Sequence, residues 1–103
     1  WAGLYLHTDA GVTTTPYKTL HFAARASQTG QRYNVRLYDT NNRALPSVPL
    51  TNYGGDPINT AWKIYNIPLS ALSGSGELIK GIVIQEDKGT AQPVVYIDDI
   101  KFQ

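Results

Sequence analysis

Asn34, Arg36 and Tyr38 occupy alternate positions of RYNVRLYD, residues 32–39, with Tyr33, Val35 and Leu37 between them. Side chains of a β-strand point alternately to its two faces, so this stretch has one apolar face and one carrying an amide, a guanidinium and a phenol in a row. Such a row suits a planar, polar, hydroxyl-rich ligand: the phenol ring offers a flat apolar body, and the guanidinium and amide offer paired hydrogen-bond donors and acceptors. An ordinary half-buried strand with a polar exterior has the same pattern. The side chains that neighbouring strands place beside it decide between the two.

Those neighbours can be read along the chain. Residues 1–8, WAGLYLHT, alternate with Ala2, Leu4 and Leu6 on an apolar face and Trp1, Gly3, Tyr5 and His7 on the other. The chain starts on Trp1 inside this strand, which reads as a cut. Residues 9–16 form a Gly/Thr/Pro loop, and residues 17–25 a second strand with Leu20, Phe22 and Ala24 on its core side. The organising strand ends in a polar turn, where Asn41 and Asn42 suit positive φ. Residues 48–53, VPLTNY, make a fourth strand, placed at a sheet edge because Pro49 cannot donate to a ladder. Residues 62–69, WKIYNIPL, are a fifth strand, followed by a short helical turn at 69–72. Residues 79–85 are a sixth, with Ile82 and Ile84 inward and Val83 and Gln85 outward; a charged turn around Gly89 follows. In the last strand, residues 94–102, Ile97 and Ile100 both face inward, which requires a β-bulge near Asp98 and Asp99.

Seven short strands and no helical periodicity predict an all-β, two-sheet antiparallel β-sandwich, and 103 residues make one domain spanning 1–103. Nine basic and eight acidic residues leave a net charge of +1, which excludes an electrostatic grip on nucleic acid or on an anionic membrane. The absence of cysteine excludes disulfides and thiolate metal sites, and fits a secreted bacterial domain. The acids Asp9, Asp39, Asp56, Glu77, Glu86 and Asp87 fall in loops or at strand ends, away from the outward face. Glycoside hydrolysis normally needs two carboxylates flanking the scissile bond, so the expectation is no enzyme and no catalytic residue.

Three stretches in order, WKIYNIPLSAL, LIKGIVIQ and VVYIDDIKF, resemble the C-terminal half of the β-jelly-roll carbohydrate-binding modules attached to bacterial glycoside hydrolases. YKTLHFAAR and YNVRLYD look like the middle strands of the same fold, so the resemblance covers essentially the whole chain. It implies a jelly roll with the first, third, fourth and sixth strands in one sheet, whose concave outer face holds a glycan chain. The ligand-binding residues so implied are Tyr5 and Tyr38 as stacking platforms, Tyr53 at one end of the cleft, and Arg36, His7, Asn34 and Gln85 as hydroxyl partners. Trp62 is read mainly as packing. No cofactor is required. The resembled modules often carry a structural calcium with an aspartate of the end strand among its ligands, which makes Asp98 the metal-ligand candidate. Such modules also have one or two strands before the segment that WAGLYLH resembles. The expectation is therefore a fold lacking its N-terminal strand, completed by a complementary N-terminal segment. The function implied is secreted, non-catalytic polysaccharide binding that targets an attached hydrolase. The alternative is a structural or adhesive sandwich making protein contacts, for which a flat apolar patch ringed by charge would be the sign.

Overall fold

The computed structural model describes residues 3–87 and 94–103. Trp1, Ala2 and most of the predicted turn around Gly89 lie outside the described residues. Strands β1 (Gly3–Thr13), β6 (Leu78–Glu86), β3 (Tyr33–Asp39) and β4 (Val48–Pro49) form one sheet in the order β1-β6-β3-β4. Strands β5 (Lys63–Pro68), β2 (Thr19–Ala26) and β7 (Val95–Phe102) form the other, in the order β5-β2-β7. All pairings are antiparallel. This is the predicted sandwich, with the predicted strands in the first sheet and β4 at its edge.

Period-two alternation builds the core. Leu20, Phe22 and Ala24 of β2 face Tyr33, Val35 and Leu37 of β3, and all six are buried. Phe22 stacks on Tyr65 of β5 at 5.2 Å between ring centroids. Two buried phenols keep a hydrogen bond each, as buried hydroxyls must: Tyr65 donates to the Gly55 carbonyl at 2.8 Å, and Tyr33 accepts from Gln31 Nε2 at 2.7 Å. Burial raises the pKa of both, helped at Tyr65 by the charge of Asp56.

Two irregularities keep apolar residues inside. In β7 the register with β2 slips between Ala23–Asp98 and His21–Lys101, and Asp99 takes φ +54°. The extra residue turns both Ile97 and Ile100 onto the core, as predicted. In β6 the register with β3 slips at Lys80, between Tyr38–Gly81 and Asp39–Ile79. That slip puts Ile79 on the same inward face as Ile82 and Ile84. The predicted turn at 69–72 is present, closed by a 3.1 Å bond from Leu72 N–H to the Leu69 carbonyl.

Two segments depart from expectation. β1 continues to Thr13, where residues 9–16 read as loop. Its register with β6 breaks after His7 and resumes at Val12, with Gly11 at φ +77° taking the kink. The fourth strand is only Val48–Pro49, and Leu50–Tyr53 is a 3-10 helix ended by Gly54 at φ +114°. Pro49 and Asn52 are poor strand residues, and the turn drives Leu50 to complete burial.

The two flanks of the sandwich end differently. Leu50 seals the β4–β5 side. On the β1–β7 side, Leu6 and Val12 pair with inward-facing Ile82 and Ile79 yet remain 36 % and 39 % exposed. They line a groove of about 160 Å³ with Ile79, Ile82 and Phe102.

Candidate functional site

The register of the four-stranded sheet sorts its outward residues into rows. Gly3, Gln85 and Asn34 form one; Tyr5, Val83 and Arg36 the next; His7, Gly81 and Tyr38 the third. Tyr5, His7, Asn34, Arg36, Tyr38 and Gln85 therefore share one face, on three adjacent strands, as predicted from sequence. Tyr53 does not join them. The 3-10 helix turns it away from the sheet, and it packs, half-buried, against the core. Thr51 in the same turn hydrogen-bonds to Asp56.

Gly81 shapes the centre of this face. A Cβ there would lie 2.7 Å from Cε1 of Tyr5, 3.2 Å from its hydroxyl and 3.4 Å from Cβ of Tyr38. Without that atom the Tyr5 ring approaches the backbone of β6. It meets Tyr38 edge-to-face, with centroids 6.1 Å apart and planes at 70°, and lies 5.7 Å from the His7 ring. This is a favoured aromatic geometry. The two phenols make a corner over buried Val83, bordering an open depression of about 380 Å³ lined by Tyr5, Tyr38, Asn42, Val83 and Gln85.

Polar groups around the corner are held in place from outside it. Asn34 Nδ2 donates to Asp87 at 2.9 Å, and Arg32 reaches the same carboxylate at 3.4 Å. Arg36 stands one row from Tyr38, and its Nε is buried with no partner among the described residues. An orphaned buried donor costs about 1–3 kcal/mol.

Asn42 was not singled out from sequence as a binding residue. It sits at φ +57° in the turn after β3, a conformation that asparagine tolerates. Buried Asp39 builds that turn: its carboxylate accepts the N–H groups of Asn41 at 2.9 Å and Arg43 at 3.0 Å, and pairs with Arg43 Nε at 2.9 Å. The Arg43 N–H foremost, with the Asn41 N–H and the Arg43 guanidinium, holds the Asp39 carboxyl below the usual range against the opposing effect of burial. The sequence signal for Asn42 was the positive-φ asparagine beside Tyr38. Asp87 was legible only as a loop acid, because its partners are 53 and 55 residues away.

Among the described residues no carboxylate lines the depression. Asp9, which lies within β1, stands 3.6 Å from His7 at the rim and is exposed. Among the described residues no three His, Cys, Asp or Glu side chains come together in a metal-holding group. Asp98 is exposed and accepts the Asp99 N–H at 2.8 Å, while Asp99 faces His21 at 3.2 Å and Lys101 at 3.9 Å. Calcium requires six to eight oxygens. Asp99, the neighbouring carboxylate, is engaged by His21 and Lys101 and adds no free oxygen to such a cage beside Asp98. Trp62, expected to pack, is 46 % exposed at the start of β5.

No curated protein matches the chain. The model of the family described as carbohydrate binding domain 30 matches residues 1–103, and the chain belongs to that family of carbohydrate-binding domains.

Proposed function

We propose that the outer face of the four-stranded sheet takes a single soluble β-glycan chain, and that the domain, without cleaving it, holds an attached glycoside hydrolase at that substrate. The observation that carries this reading is the corner of Tyr5 and Tyr38 over Gly81 and Val83. A pyranose ring has an apolar face of axial C–H groups and a rim of equatorial hydroxyls. Tyr5 and Tyr38 stack on the first; Arg36, Asn34, Asn42 and Gln85 meet the second, with His7 at the edge. A walled corner suits one chain at a time. Tethering then raises the local substrate concentration for the attached enzyme, in the extracellular space where such polymers occur.

Affinity electrophoresis through gels containing mixed-linkage β-glucan, xylan, xyloglucan or mannan tests this. Retardation in at least one glycan, abolished in Tyr38→Ala, is expected. Unchanged mobility in every gel, with circular dichroism showing folded protein, sinks the reading.

The exposed inward-facing Leu6 and Val12 support a further part of it: a complementary extended segment covers the β1–β7 flank by strand addition. Adding a synthetic extended peptide with alternating apolar residues should raise the melting temperature. No rise at saturating peptide counts against strand addition.

A further inference from the structure

The outer face of the three-stranded sheet presents a second set of ring-and-fork side chains. Ala24 and Ala26 of β2 are buried, so Ala23 and Arg25 point outward. Tyr96 of β7 lies opposite Arg25, and Ile64 and Asp98 lie either side of Ala23. Trp62, two residues before Ile64, stands just ahead of β5 and is exposed as Ile64 is. Trp62, Ile64 and Tyr96 are 46 %, 64 % and 47 % exposed. β5 and β7 are two strand spacings apart across β2, about 10 Å, the order of a disaccharide's length. Between them the Arg25 guanidinium lies 5.9 Å from the centroid of the Tyr96 ring. Its Nε, like that of Arg36 on the opposite face, is buried without a partner among the described residues.

We propose that this face is a second polysaccharide contact, a platform that lies on the surface of an insoluble β-glycan such as crystalline cellulose. The proposal rests on the function above only for the class of ligand. Three observations favour a neutral glycan over a protein partner. Arg25 and Lys101 balance Asp98 and Asp99, so the face carries no net charge with which to select a charged surface. An arginine over a tyrosine ring, with no carboxylate paired to it among the described residues, suits hydroxyl pairs next to a stacked sugar. The adjoining row is polar and fixed: His21 is hydrogen-bonded to Asn66 at 2.7 Å and to Asp99 at 3.2 Å. Small Ala23 in the central strand leaves a low floor between the rows, with side chains spread across three strands.

Depletion of the protein from solution by microcrystalline cellulose tests the platform, run beside the soluble-glycan gels. The double variant Trp62→Ala/Tyr96→Ala should bind cellulose at least tenfold more weakly and keep its mobility in the gels. Tyr38→Ala should do the reverse, losing the gels and keeping cellulose. Trp62→Tyr should restore most of the cellulose binding, and Tyr96→Ala alone serves if the double variant does not fold. Wild-type protein that cellulose does not deplete overturns the proposal. So does a folded double variant depleted like wild type, which leaves the face to a protein contact, or one that loses both assays together. Loss of gel retardation throughout, with cellulose binding intact and dependent on Trp62, sinks the cleft and spares the platform.

Discussion

The two outer faces of this sandwich carry similar chemistry in different relief. Each has an arginine whose Nε is buried without a partner among the described residues, Arg36 on one and Arg25 on the other, with aromatic side chains nearby. The difference lies in the middle strand. β6 places Gly81 between His7 and Tyr38, and the missing Cβ lets Tyr5 fold down and border a depression with Tyr38. β2 places Ala23 between Ile64 and Asp98, and there the large side chains stay spread and exposed. One residue in a central strand thus sets whether the same side-chain types form a corner for a chain or a floor for a surface.

The largest change abolishes the comparison altogether. Leu37 lies between Arg36 and Tyr38 on β3 but points inward and is fully buried. Leu37→Ala should destabilise the fold by about 2–5 kcal/mol, as large-to-small core changes do. Denaturant unfolding reads the loss directly. Binding on both faces should fall only as far as the folded fraction falls, and a folded Leu37→Ala protein with one face selectively lost would contradict the separation of core and face.

Next in size are changes that silence one face. Arg36→Ala should abolish retention in the glycan gels while the melting temperature stays within a few degrees of wild type, since removing Arg36 also removes an orphaned buried donor. Normal binding by both Arg36→Ala and Tyr38→Ala would mean that the glycan lies elsewhere. Gly81→Ala sharpens the contrast itself. The new Cβ meets the far end of the exposed Tyr5 side chain, which can swing outward. A several-fold loss of soluble-glycan affinity with little loss of stability is expected, and cellulose depletion should not change. Titration calorimetry that finds wild-type affinity in Gly81→Ala would remove the glycine from the account.

How far these faces were legible in the sequence follows from where alternation holds. Residues 33–39 alternate without interruption, and their two faces were readable one side chain at a time. The bulge of β7 was readable too, because two isoleucines three apart cannot both face inward without one. Where a bulge interrupts the period with no such marker, the signal failed: residues 9–16 looked like loop, although β1 resumes its pairing at Val12 and runs to Thr13. VPLTNY alternates as a strand should, but Pro49 ends the ladder and the burial of Leu50 outweighs the pattern, taking Tyr53 with it. Trp62 was misjudged because an aromatic opening a strand is usually covered. Asp87 and Gly81 act through neighbours on other strands, and spacing along the chain carries no trace of those contacts.

The smallest expected effect concerns only one face and depends on pH. Asp39 holds the turn that carries Asn42 into the Tyr5–Tyr38 corner. Its carboxyl is held below the ordinary value in the folded protein, chiefly by the Arg43 N–H. A depressed carboxyl stabilises the fold at pH values above its unfolded pKa, near 3.9. That contribution is lost as pH falls through the lower folded value. Protonation then weakens the bonds to Asn41, Arg43 and its guanidinium, and Asn42 is released from the rim of the corner. The part of the soluble-glycan affinity that depends on this turn should therefore hold down to about pH 4 and decline below it, while cellulose depletion through Trp62 and Tyr96 does not follow the same curve. Asp39→Asn, which cannot ionise, should show a modestly weaker affinity at neutral pH and lose this part of the acid decline. An identical acid profile in wild type and Asp39→Asn would show that the turn does not govern the corner, and parallel decline on both faces would point to general acid unfolding instead.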